Sequence, residues 1–330
     1  MNIRTLSALA LVTALLLAPA PAAGQARASA TKTWTPPRTP DGQPDLQGIW
    51  NSSTITPLER PADLAAKEFF TPQEAAAYEK QTLQSSNADR RDGGADADVG
   101  RAYNEFWRTR GGVVSTLRTS LIIDPPNGRI PPLTPEGQKR NAARADYRRQ
   151  HPADGPEDRP LAERCLLWGS AGPPMLPAGY NSNYQIIQSP GYVVILIEMI
   201  HDIRVIPLNG QRPHAPQTVR QWLGDSIGRW EGQTLVVETT NFTDKTAFRG
   251  ASENMRLIER FTRTAENTLL YEFTVDDPAS FTRPFTGQVP MTKTNELLFE
   301  YACHEGNYGL GNVLAGSRAE EKAAAEARKR

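Results

Sequence analysis

Leu269-Leu-Tyr-Glu-Phe-Thr-Val-Asp276 is the stretch that decides the fold. Successive side chains of an extended chain point to opposite faces, so Leu269, Tyr271, Phe273 and Val275 share one face. Leu270, Glu272, Thr274 and Asp276 share the other. That alternation predicts a strand with one face against a core and the other largely polar. Outward from it, strands are predicted at residues 203–206, 219–223, 234–240, 256–263, 285–290 and 297–303. Tyr192-Val-Val-Ile-Leu-Ile-Glu-Met199 is a near-continuous apolar run and reads as a buried strand. Turns such as Asp225-Ser-Ile-Gly228 and Trp230-Glu-Gly232 separate these runs. The short connections leave no room for crossover helices, which argues against a parallel α/β sheet. A mainly β fold follows, an antiparallel meander over residues 161–316 that forms a barrel or a sandwich, lipocalin-like in style.

The region before it, residues 27–160, reads as irregular with two helices. Thr71-Pro-Gln-Glu74 has the form of a capping box with proline at the first helical position, predicting a helix over 72–84. Thr134-Pro135 opens a second, running to about residue 150. Residues 85–101 are polar and glycine-containing and read as a loop, and Leu121-Ile-Ile-Asp124 as a short strand. Trp50 is expected to anchor the core. Residues 317–330, rich in Ala, Glu, Lys and Arg, form a helical tail.

The first 26 residues have the form of a secretory signal, with Arg4, an apolar run over 6–18 and small residues after it, so cleavage after Ala23, Ala26 or Ala30 is expected. That run is too short for an ordinary membrane span, and no later segment is long enough. A periplasmic or extracellular location is implied. The 37 basic and 37 acidic residues balance, with no basic stripe, which speaks against a nucleic-acid partner. An oxidising compartment permits Cys165 and Cys303 to pair; two buried thiols are the alternative.

Candidate chemistry gathers around two of the four histidines. His304 is followed by Glu305, Asn307 and Tyr308 at the predicted end of the last strand. There His304 and Tyr308 can exchange protons, while Asn307 stabilises developing charge. His201 and Asp202 follow a strand and form a second proton-handling pair. Tyr180, Asn181, Asn183 and Arg204 are candidate substrate-binding residues, since aromatics flanked by amides suit a sugar or aryl ligand. His201, His304 and Glu305 make an alternative two-histidine, one-carboxylate metal set, though no metal-binding spacing supports it. No cofactor is otherwise expected. Glu198 on its apolar strand needs a partner or a raised pKa; Arg204 or Arg256 can supply one. Glu238 and Glu259 pose the same question. Serine-hydrolase and nucleotide-binding motifs are absent.

Three longer motifs carry a resemblance: Thr39-Pro-Asp-Gly-Gln-Pro-Asp-Leu-Gln-Gly-Ile-Trp50, Gly228-Arg-Trp-Glu-Gly-Gln-Thr-Leu-Val-Val-Glu-Thr239 and Glu300-Tyr-Ala-Cys-His-Glu-Gly-Asn-Tyr308. Together they resemble a largely uncharacterised family of secreted bacterial proteins, often carried in many copies per genome. The resemblance implies secretion and β architecture more than chemistry. Two functional expectations result. The first is a secreted lyase or hydrolase that uses acid–base chemistry on a small polar or carbohydrate-like substrate. The second is a non-catalytic, lipocalin-like protein that binds an apolar small molecule.

Overall fold

Alternation of apolar and polar residues becomes one curled sheet in the computed structural model, which describes residues 34–101, 104–169, 171–208, 210, 212–246 and 248–329. The expected leader, residues 1–26, lies outside them. Ten strands are present among the described residues: β1 (Gly48–Asn51), β2 (Ile122–Asp124), β3 (Asn183–Ser189), β4 (Tyr192–Ile197), β5 (Ile203–Pro207), β6 (Asp225–Glu231), β7 (Thr234–Thr240), β8 (Arg256–Ala265), β9 (Thr268–Asp276) and β10 (Phe285–Thr294). Their order across the sheet is β5-β4-β3-β1-β10-β9-β8-β7-β6, with β2 beside β10. Two antiparallel meanders, β3–β5 and β6–β10, are therefore joined by β1, which carries the Gly48-Ile-Trp50 end of the first long motif. Pro290, which has no N–H to give, lies between the part of β10 that pairs β2 and the part that pairs β1.

The outer strands β5 and β6 come together without forming a ladder. Leu208, just past β5, makes a single parallel bridge to Gly228. A Cβ on Gly228 would sit 2.7 Å from the Leu208 side chain, so any larger residue there would push that side chain aside. The sheet is thus curled but not closed. Its interior is filled by the alternating set the sequence predicts, Leu269, Tyr271, Phe273 and Val275, facing Trp50, Ile195 and Leu235. The Trp50 indole N–H donates to the Leu46 carbonyl at 2.9 Å, and so the anchor is satisfied as well as buried.

Residues 171–177 enter the open end of the curl and bring Ala171, Met175 and Leu176 into the core. Met175 N–H donates to the Tyr271 hydroxyl at 2.9 Å. Cys165 and Cys303 are disulfide-bonded, which resolves the choice left open by the sequence. Their separation of 138 residues corresponds to a stabilisation of about 5 kcal/mol in the chain-entropy picture.

Helix α1 (Pro72–Ser86) has the predicted capping box, with Thr71 Oγ1 accepting from Glu74 N–H and the Glu74 carboxylate accepting from Thr71 N–H. Helix α3 (Pro135–Gln150) is capped by Thr134 as expected. Between them, residues 85–101 are not wholly loop, since α1 reaches Ser86 and a short helix α2 spans Gly94–Gly100. The tail helix α4 (Tyr308–Ala327) starts nine residues before the predicted 317. Residues 219–223 are not a strand; Gln221 makes one isolated bridge to Phe242. Nor are residues 297–303, because β10 already has β9 on one side and β1 and β2 on the other. β4 is buried on its inner face alone, with Tyr192 exposed.

Candidate functional site

Charged residues are rare on the inner face of the sheet, where apolar residues are the rule, and two of them meet there. Arg204 of β5 and Glu259 of β8 are buried at 3% and 0% exposure and form a bidentate ion pair, with Nη1 to Oε1 at 2.9 Å and Nη2 to Oε2. Arg204 Nη2 also donates to Ser226 Oγ at 3.2 Å and Thr239 Oγ1 at 3.3 Å. The Tyr271 hydroxyl donates to Glu259 Oε1 at 2.9 Å while accepting from Met175 N–H. Burial alone would favour the neutral form of Arg204, but Glu259 outweighs it and holds the guanidinium above its usual pKa. These contacts tie β5, β6, β7, β8, β9 and the 171–177 segment together across the gap that no ladder closes.

The network forms one wall of a cleft of about 660 Å³ at the β5–β6 edge. Asp202, Arg204, Arg212, Arg220, Trp222 and Ser226 line it. Most of its charges are committed. Arg212 pairs with Asp225 at 2.5 Å, and Arg220 donates to the carbonyls of Phe242 and Glu253 and pairs with the Glu253 carboxylate. Burial pushes the Asp225 carboxyl up, yet Arg212, Ala215 N–H and His214 more than offset it and keep the group below its ordinary value. Asp202 is different. Burial raises its carboxyl to about 6, with the nearby His201 acting in the opposite sense, and its buried Oδ2 has no hydrogen-bond partner among the described residues. Arg204 Nε, on the same wall, also lacks an acceptor.

The backbone entering this wall is strained. Ile200 and His201 both adopt left-handed conformations, at φ 64° and 53°. For a β-branched residue this is a true outlier, with a cost on the order of 1–3 kcal/mol. Ile200 is locked there by burial in the core, and the two residues turn the chain so that Asp202 enters the cleft wall and Ile203 begins β5.

The structure does not assemble the other predicted residues as a unit. His201 is exposed, and its Nδ1–H donates to the Tyr301 carbonyl at 2.8 Å. His304 and Glu305 are exposed in a bend rather than at a strand end. Asn307 caps α4, its Oδ1 accepting from Leu310 N–H and its Nδ2 donating to the Glu163 carbonyl. Tyr308, 78% exposed, is the first residue of that helix. Tyr180 lies under the Arg108 guanidinium and stacks with Tyr301. Asn181 takes a left-handed turn conformation. Asn183 is buried in β3, where its Oδ1 accepts from Asn51 Nδ2. Of the predicted set, Asp202 and Arg204 alone line the cleft. Among the described residues no group of three or more His, Cys, Asp or Glu is placed to hold a metal, so the His201–His304–Glu305 set does not form a centre. Glu198 finds its partner in Asn183 N–H at 3.3 Å rather than in an arginine, and burial raises its pKa. Glu238 pairs with Arg256 on the outer face.

Sequence reasoning missed Trp222, Ser226 and Arg220. Trp222 and Arg220 sit in a segment misread as a strand, and Ser226 in a predicted turn that instead starts β6. The chain matches no protein-family model, no curated protein and no solved structure with which it was compared.

Proposed function

We propose that the β5–β6 cleft is the active site of an acid–base enzyme with Asp202 as its titrating group. The observation that carries this reading is a desolvated carboxyl, raised to about 6 and without a hydrogen-bond partner at Oδ2, in the wall of a cleft whose other charges are paired. Such a group is divided between its two forms near neutral pH. It can give a proton to a leaving oxygen or take one from an acidic O–H or C–H of a substrate. Arg204, locked by Glu259, Ser226 and Thr239, holds the wall beside Asp202 in a fixed geometry. Trp222 offers a ring face, and Arg212 and Arg220 place two further cations in the lining. These features favour a small polar or carbohydrate-like substrate, cleaved by elimination or hydrolysis. The disulfide suits a protein that works in the periplasm or outside the cell.

The test is turnover of a panel of glycosides, uronate-containing oligosaccharides and esters by the wild type and Asp202→Asn. The expected loss in the variant is about 10²–10⁴-fold, the usual contribution of a positioned proton donor or acceptor. Equal turnover by both proteins, or no turnover of any panel member by the wild type, would contradict the proposal.

A further inference from the structure

A second cleft, of about 870 Å³, is lined in part by the inserted 171–177 segment. Its volume is within the range of small-molecule sites. Leu58 and Leu121 form part of its apolar lining, with Trp168, Leu176 and Phe248. Phe248 is held edge-on against the core residue Phe273, and Trp168 packs near Tyr180. The charged lining is of one sign. Arg148 from the last turns of α3, and Lys245 and Arg249 from the loop opposite, border the cleft, and no Asp or Glu does.

None of these three cations has a side-chain hydrogen bond or salt bridge among the described residues, although the chain elsewhere pairs its arginines freely. Asp158, the carboxylate whose pKa Lys245 helps to lower, is already engaged by Gly155 N–H and the Tyr147 hydroxyl. The positive charge extends along the helix. Arg140, Arg144 and Arg148 are spaced four residues apart on α3, a like-charge arrangement that is unfavourable on a helix face. Arg140 and Arg144 donate to the backbone carbonyls of Gly250, Ala251 and Asp244, and so fix the loop that carries Lys245 and Arg249 against the helix. Arg144 is held below its usual pKa by burial, then by the charge of Arg140, with Arg148 adding to it.

We propose that this cleft binds a small organic anion, an acidic head group on an aryl or aliphatic body. The body lies on Trp168, Phe248 and the leucines, and the head group meets Arg148, Lys245 and Arg249. An anion there relieves the mutual repulsion of the cations, and the apolar wall excludes the purely polar ligands that the β5–β6 cleft would accept.

The probe is 8-anilino-1-naphthalenesulfonate, titrated by fluorescence into the full protein, against N-phenyl-1-naphthylamine, which has the same aryl body without the sulfonate. Saturable binding of the sulfonate is expected. Lys245→Glu with Arg249→Glu should weaken it at least tenfold, leave the neutral amine unchanged and leave thermal unfolding unchanged, since both positions are exposed. Trp168→Ala should weaken both probes. Benzoate or decanoate should displace the sulfonate. Equal response of the two probes to the charge reversal, absence of saturable sulfonate binding, or displacement by neither carboxylate would overturn the proposal. Asp202→Asn should not alter sulfonate binding; if it does while the charge reversal does not, the anion occupies the β5–β6 cleft instead.

Discussion

Arginine is used in opposite ways in the two clefts. At the β5–β6 edge every guanidinium in the lining is tied to carboxylates, hydroxyls or carbonyls, though Arg204 Nε has no acceptor among the described residues, and the carboxyl without a counter-ion is that of Asp202. In the second cleft the cations of the lining are untied, and no acid lines the wall, among the described residues. Tied charge is scaffold. It fixes geometry, and it keeps a carboxyl desolvated without handing it a counter-ion. Untied charge over an apolar wall is available to a ligand. The difference suggests that proton transfer and anion recognition are separate tasks in this molecule. A polar chain runs from Arg204 in the first cleft through Glu259 and Tyr271 to Met175, next to Leu176 in the lining of the second.

That contrast can be broken most forcefully at Glu259. Glu259→Ala leaves the Arg204 guanidinium buried without its counter-ion, and a destabilisation of about 3–5 kcal/mol is expected in urea unfolding. A change below about 1 kcal/mol would mean that Arg204 is not held as described. Tyr271→Phe comes next. It removes one hydroxyl that serves two buried partners, Glu259 and Met175 N–H, and should cost about 1–3 kcal/mol. It should also weaken the seating of residues 171–177, which hydrogen exchange at Met175 would report.

Asp202→Asn sharpens the comparison through pH. The folded carboxyl, at about 6, holds its proton more tightly than the unfolded one near 3.8. Its contribution to stability is therefore complete below about pH 4 and is lost as pH rises through 6. The variant lacks this term. Its stability should fall less than that of the wild type between pH 4 and 6, and it should be the more stable protein at pH 8. Identical pH profiles would show that Asp202 is not desolvated. The smallest effect is expected for His201→Gly. Relief of one left-handed residue, worth about 1 kcal/mol, is offset by loss of the hydrogen bond to Tyr301, also about 1 kcal/mol. Net stability should change by less than about 1 kcal/mol.

Strand β9 was legible because Leu269, Tyr271, Phe273 and Val275 recur with a period of two, and the helix starts because Thr71 and Thr134 carry their own caps. The site was legible in part. Asp202 and Arg204 stood out as charges beside an apolar run, but Arg204 meets Glu259 because the sheet curls, over a separation of 55 residues that no local pattern encodes. The His304 set failed for a related reason. Residues 297–303 alternate as a strand does, yet β10 has no free side for them. The untied cations of the second cleft come from α3 and a distant loop, so their convergence is tertiary.

The most direct test of the central claim is a carbon-13 NMR titration of the Asp202 side-chain carboxyl in the folded protein, assigned by its loss in Asp202→Asn. A midpoint near pH 6 is the result predicted here. A midpoint near the ordinary value of 3.8 would contradict it, because a carboxyl that ionises normally is neither desolvated nor poised to exchange protons at neutral pH.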